Sequence, residues 1–133
     1  MIVVDTSALM AIVINEPVSA KCARAIEDAD EILISAGTLT EILIVAAGKN
    51  LTTQMETLLR KLVHEVVPVT RESAIRTGAA YRQWGKGFHP AGLNFGDCFA
   101  YTLAMERNCP LLYVGNDFSR TDVISAIPKE NAN

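Results

Sequence analysis

Histidine, cysteine, long apolar runs and blocks of like charge are all scarce or missing in this chain of 133 residues, and each shortage removes a class of chemistry. The two histidines, His64 and His89, stand far from each other and from any cysteine pair, so a zinc site has little support. The three cysteines, Cys22, Cys98 and Cys109, are odd in number and lack Cys-x-x-Cys spacing. They read as reduced thiols of a cytoplasmic protein, with Cys22 and Cys98 expected to pack in cores. No apolar stretch approaches the roughly eighteen uninterrupted residues of a membrane span. The first strand begins at once, with no basic region or small-residue cleavage site before it, so no signal peptide is visible. The charged residues, 20% of the chain, are scattered, and disorder is expected only in the polar tail Lys129–Asn133.

What is present describes a globular α/β protein. Half of the residues are hydrophobic, and a chain of this length is expected to form one domain over residues 1–133, with an ordered core over about 1–127. Such a domain buries about two-thirds of its unfolded surface. Ile2–Val4 reads as a buried strand and Asp5-Thr6-Ser7 as the turn into a helix reaching about Ile14. Pro17 suits the first turn of a second helix, on which Val18, Cys22, Ala25 and Ile26 share a face. Ile32–Ile34 is a second strand. Thr38 is a candidate N-cap for a helix over Leu39–Ala47, with Glu41 at capping-box spacing and Gly48-Lys49-Asn50 as the stop. Met55, Leu58, Leu59 and Leu62 mark an amphipathic helix, and Val66–Val69 a third strand. Arg71–Trp84 reads as helix, Gly85–Gly96 as loop, Asp97–Arg107 as helix and Leu111–Val114 as a fourth strand. Strands alternating with helices imply parallel βαβ units in a layered α/β sandwich.

Against this pattern four acids stand out. Asp5 closes Ile2-Val3-Val4, and Glu41 is the only charged residue within Ile32–Ala47. Asp97 opens the apolar stretch Cys98–Met105, and Asp117 follows Leu111–Asn116. The ends of parallel strands lie along one edge of a sheet, where open α/β folds bind ligands. Carboxylates gathered there repel one another and resist ionising unless a cation neutralises them, which points to a divalent-metal site. The alternative is that each acid separately caps a helix or sits in a turn.

The ordered set Val4-Asp5-Thr6-Ser7-Ala8-Leu9, Glu41 in a helix, Asn94-Phe95-Gly96-Asp97-Cys98 and Gly115-Asn116-Asp117-Phe118 resembles the PIN domain, and within it the VapC-type ribonuclease toxins of toxin–antitoxin pairs. The resemblance covers Met1 to about Val123, and Gly85–Asp97 is similar to one VapC subgroup in particular. It implies a PIN-like three-layer α/β/α sandwich around a parallel sheet of four or five strands. It also implies that Asp5, Glu41, Asp97 and Asp117 are catalytic, with Asp5 and Asp97 direct ligands of Mg²⁺ or Mn²⁺. Glu41 would bind the metal through water or assist proton transfer, and Asp117 would complete the cluster or hold a second ion. Thr6 or Ser7 would hydrogen-bond a water or a substrate phosphate, and Asn116 and Asp122 would support the site from behind, although an Asx turn explains Asn116 equally well. A cognate antitoxin, and a homodimer or toxin–antitoxin hetero-oligomer, follow from the same resemblance.

The chemistry agrees with the composition. Phosphodiester hydrolysis builds negative charge on phosphorus, and hard cations held by oxygen ligands neutralise it and acidify the attacking water without help from His or Cys. A net charge of −3 is no obstacle, because Ser73–Gly96 contains no acid while Arg76, Arg82 and Lys86 interleave with Tyr81, Trp84, Phe88 and His89. Cations for phosphates and flat rings for bases suit single-stranded RNA, with Arg82, Lys86 and His89 as contacts, provided Tyr81 and Trp84 are not simply core residues. Two other classes are weighed. A phosphoacceptor domain needs an acid pair after the first strand and a Lys after the last, and a haloacid-dehalogenase-type phosphatase needs Asp-x-Asp where this chain has Asp5-Thr6-Ser7. A non-catalytic RNA- or partner-binding module gains nothing from carboxylates facing phosphates.

Overall fold

Alternation of side chains about a short parallel sheet organises the molecule, seen in a computed structural model that describes residues 1–128. The tail Lys129–Asn133 lies outside the described residues. The strands are β1 (Ile2–Val4), β2 (Ile32–Ser35), β3 (Glu65–Val67) and β4 (Leu111–Leu112), all parallel in the order β3-β2-β1-β4. The helices are α1 (Thr6–Val13), α2 (Ser19–Asp28), α3 (Ala36–Gly48), α4 (Thr52–Leu62), α5 (Arg71–Trp84) and α6 (Phe95–Arg107), with a 3₁₀ turn at Phe118–Arg120. Ile2, Val4, Ile32, Ile34 and Leu112 face a core shared with Leu9, Cys22, Ile26, Ile42 and Met55 of α1–α4. Val3, Leu33 and Leu111 face the opposite way, onto Ala80, Cys98, Ala100 and Leu103 of α5 and α6. The period of two in each strand thus feeds two cores, and burial on both faces is why β1, β2 and β4 are uninterrupted apolar runs. The result is the three-layer α/β/α sandwich expected, with four strands. Cys22 and Cys98 are buried in it, as their apolar surroundings suggested. No helix among the described residues is long and apolar enough to cross a membrane.

Several boundaries differ from the sequence reading, each for a local reason. Helix α3 starts at Ala36 because Ser35, not Thr38, is its N-cap; the Ser35 hydroxyl accepts from the Gly37 N–H at 3.2 Å. Thr38 is fully buried within the helix, its hydroxyl without a partner, so the capping box that would have accounted for Glu41 does not exist. Strand β3 is shifted to Glu65–Val67, since Pro68 has no N–H to continue the ladder. As an edge strand it leaves Glu65 and Val66 exposed, whereas the apolar run had suggested burial. Pro17 lies just ahead of α2 rather than in its first turn. Of the stripe on α4 only Met55 is fully buried; Leu58, Leu59 and Leu62 pack at the margin of the core. Trp84 is half-buried, not a core residue, and donates to the Tyr101 hydroxyl at 2.9 Å.

Candidate active site

The strand order changes direction at β1. The first crossover leads from β1 to β2 on one side, whereas the chain returns from β3 to place β4 on the other. The helices that leave a sheet in opposite directions open a crevice at such a point, beyond the carboxyl ends of the strands. Asp5, the residue after β1, sits in that crevice. The C-terminal segments of β2 and β4 continue into α3, which carries Glu41, and into the loop with Asp117. Asp97 comes from the first turn of α6, which packs over the sheet.

Asp5 is the N-cap of α1 and only 3% exposed. Its Oδ2 accepts from the Ser7 N–H at 3.0 Å and the Ser7 hydroxyl at 2.6 Å. Its other oxygen, Oδ1, is buried without a hydrogen-bond partner in the protein. Burial pushes the Asp5 carboxyl up from 3.8 to about 6, against the pull of the two Ser7 bonds and with a further push from the Glu41 charge. Asp97 is 8% exposed and closes a reciprocal capping box. Its N–H donates to Asn94 Oδ1 at 2.9 Å, while its Oδ2 accepts from the Asn94 N–H at 3.0 Å. The Asp97 carboxyl is pushed up to about 7, chiefly by burial and then by the charges of Asp5, Asp117 and Glu41. The charges of Asp5, Glu41 and Asp117 thus all reach Asp97, and that of Glu41 also reaches Asp5. Capping and a shared site were alternatives in the sequence; Asp5 and Asp97 do serve helix caps, and the Asp5 charge also acts on Asp97.

Glu41 is held by two neighbours. Its Oε1 accepts from the Thr6 hydroxyl at 2.6 Å. Its Oε2 occupies the space that a Cβ on residue 96 would need, so only Gly96 lets the carboxylate lie against the start of α6. Thr6 and Ser7 thus both commit their hydroxyl protons to carboxylates. Ser7 also accepts from the Val114 N–H at 3.0 Å, tying the end of β4 to the start of α1.

The remaining expected residues are placed differently. Asp117 is exposed at the start of the 3₁₀ turn and its side chain caps nothing. The Asn116 main-chain carbonyl accepts from the Ser119 hydroxyl at 2.7 Å. Asp122 accepts from the Tyr101 hydroxyl at 2.7 Å, ending a chain that starts at the Trp84 indole. Arg82 and Lys86 are exposed, whereas Arg76 is paired with Glu106 at 3.3 Å. His89 accepts from the Ala91 N–H at 2.9 Å and packs edge-on to Trp84, so it fastens its own loop. Arg120 donates to the Pro90 carbonyl at 3.3 Å, which fixes this basic–aromatic loop beside the turn that carries Asp117. Gly96 and the cap Asn94 were missed as site residues. The sequence signal was the Asn-x-x-Asp spacing, a capping box that joins the catalytic candidate to its helix.

The site's donors are all oxygen. Among the described residues no three His, Cys, Asp or Glu side chains are already arranged as a metal-ligating cluster. An all-oxygen donor set is the kind that Mg²⁺ takes, usually through one or two carboxylates while it keeps several waters. The unpartnered Asp5 Oδ1, costly to bury ionised, is the atom that such a cation would satisfy.

Comparison with known proteins places this geometry in a family. The PIN domain family model matches residues 2–124. "Ribonuclease VapC28" of Mycobacterium tuberculosis is 40% identical over 131 residues, covering 96% of this chain and 98% of its own. The crystal structure of VapC20 from the same organism superposes with a TM-score of 0.77 at 16% identity, over 96% of this chain and all of that one. A toxin–antitoxin complex from Klebsiella pneumoniae gives a TM-score of 0.68 at 16% identity, over 95% of this chain and 98% of that one. The match to the family model thus runs from β1 past the 3₁₀ turn: the chain belongs to the PIN domain family.

Proposed function

We propose that the protein is an endoribonuclease toxin of the VapC type, which hydrolyses RNA phosphodiester bonds with the help of Mg²⁺ or Mn²⁺ held at Asp5 and Asp97. The observation that carries the metal is the buried, unpartnered Asp5 Oδ1 at the switch point of the sheet, next to a second carboxyl of raised pKa. Near-complete coverage of a relative named a ribonuclease supports the substrate class.

When bound, such a cation acidifies a water and neutralises charge growing on the phosphate. The rest is done by this chain. Ser7 aims Asp5 and lowers the pH at which it ionises. Asn94 fixes Asp97 through the capping box, and Thr6 with Gly96 fixes Glu41 where it can take a proton from water. Asp117, exposed at the start of the 3₁₀ turn, adds charge that would favour a second cation or help to hold the first. Asn116 and Asp122 act through the backbone and through Tyr101. Arg82 in the last turn of α5 and Lys86 in the loop that Arg120 fastens beside the turn of Asp117 offer exposed cations to the RNA backbone, while His89 gives that loop its shape. The chain acts in the cytoplasm, with a cognate antitoxin as inhibitor and a homodimer or toxin–antitoxin hetero-oligomer as its assembled form.

Direct attack by water breaks the bond to the 3′-oxygen, so the products carry 5′-phosphate and 3′-hydroxyl ends. Ligation-based sequencing of RNA cut by the purified protein in Mg²⁺ checks this. Products ending in 2′,3′-cyclic phosphate would instead mean attack by the neighbouring ribose hydroxyl, and would contradict the role given to the acids.

A further inference from the structure

A second feature adjoins the carboxylates and has no part in holding a cation. A groove of about 230 Å³, lined by Gly37, Thr40, Glu41, Ile44, Phe95 and Phe99, shares Glu41 with the acid site. Its floor is rigid. The ring of Phe99 occupies the space that a Cβ on Gly37 would need, and Phe95 stands on it edge to face, with ring centres 5.1 Å apart and planes at 86°. Phe95 is nevertheless 74% exposed, Ile44 68% and Val69 38%, so the shelf continues as an apolar patch across the starts of α3 and α6. A contiguous patch of this kind marks a binding surface, unlike a single exposed apolar residue.

We propose that this shelf receives an unpaired nucleobase adjoining the scissile phosphate, stacked on the ring of Phe95. The inference rests on the ribonuclease reading and names the substrate feature that reading leaves open. Glu41 lines both the groove and the acid site, so an RNA strand with its phosphate at the acids places the next nucleoside in the groove. Glu41 is the only charged residue of that groove, so it holds no cation for another phosphate. The Thr40 hydroxyl gives its proton to the Ala36 carbonyl, which leaves flat apolar surface as the main offer. A base stacked within an A-form helix has both faces covered, so only an unpaired one fits. Stacking without donors aimed at base edges tolerates any base, so Phe95 selects for strand state and not for sequence.

The test uses the intact protein and a mixed-sequence pool of single-stranded oligoribonucleotides, with product sequencing to place the cut. Oligonucleotides are then made with each nucleotide flanking the cut replaced in turn by an abasic one. Base stacking on an aromatic ring corresponds to about a 5- to 100-fold effect, so Phe95→Ala should raise KM by that factor with little change in melting temperature. Phe95→Tyr should keep wild-type KM, and Phe95→Leu should resemble Phe95→Ala, because planarity is what matters. One abasic position should cost the wild type the same factor and cost Phe95→Ala nothing further. An unchanged KM for Phe95→Ala, or abasic effects equal in wild type and variant, would overturn the proposal while leaving the ribonuclease reading intact. In that case the shelf is a face for a protein partner. Failure of the wild type to cut any RNA in Mg²⁺ would sink both together.

Discussion

Asp5→Asn and Asp97→Asn should each lower RNA cleavage by at least about 100- to 1,000-fold while making the metal-free protein more stable. The two effects share one cause. Both carboxyls are buried, repelled by neighbours and pushed up from 3.8, to about 6 for Asp5 and about 7 for Asp97. A folded-state pKa above the unfolded value means that the fold binds the proton more tightly. Stability from these groups is therefore present below about pH 4 and lost as the pH rises through 6 and 7. Asparagine removes the penalty yet keeps an oxygen to accept from Ser7 or Asn94, so the helix caps survive. The expected gain above pH 7 is about 1–2 kcal/mol, or about 3–8 °C in melting temperature, and it should vanish near pH 4. Melting curves at pH 4 and pH 8, beside single-turnover cleavage, check both halves. A variant that is less stable at pH 8 would mark its carboxylate as a structural cap.

Gly96→Ala should separate activity from stability in a different way. Alanine is the better helix former by about 1 kcal/mol, and the first turn of α6 has no backbone strain to forbid it. The added Cβ, however, falls where the Glu41 carboxylate lies. Glu41 has a flexible end and can swing aside, so the melting temperature should change little. In doing so it abandons the Thr6 hydroxyl, and a displacement of about 1 Å at a reacting centre costs on the order of 100-fold in rate. Thr6→Ala should produce a smaller loss of the same kind. Wild-type turnover in Gly96→Ala would show that the position of Glu41 does not matter to the reaction.

How much of this was legible in the sequence varied with the kind of signal. Strands β1, β2 and β4 were readable because burial on both faces leaves apolar runs such as Ile2-Val3-Val4 and Ile32-Leu33-Ile34. Helix α5 was read to the residue as Arg71–Trp84, and the structure supplies the reason for its start, a capping box between Thr70 and Ser73. Strand β3 was misplaced because Val66–Val69 is an apolar run that continues past Pro68, and nothing local shows that this strand lies at an exposed edge. The start of α3 was misread because Ser35 and Thr38 are both competent caps, and only tertiary packing buries the second. The four acids were visible as charges in apolar company. Their supports were less so: Thr6 meeting Glu41 spans 35 residues, Ser7 meeting Val114 spans 107, and the role of Gly96 depends on a side chain from another helix.

The dependence of RNA cleavage on a divalent cation held by the buried carboxylates decides between this mechanism and any other. Its most direct test is single-turnover cleavage of one oligoribonucleotide by the wild type in excess EDTA, followed by back-titration with Mg²⁺ or Mn²⁺ and repeated with Asp5→Asn. Cleavage should be lost in chelator, return with either ion in the wild type, and stay absent in the variant at the same ion concentrations. Undiminished cleavage in EDTA, or equal recovery in Asp5→Asn, would contradict the account.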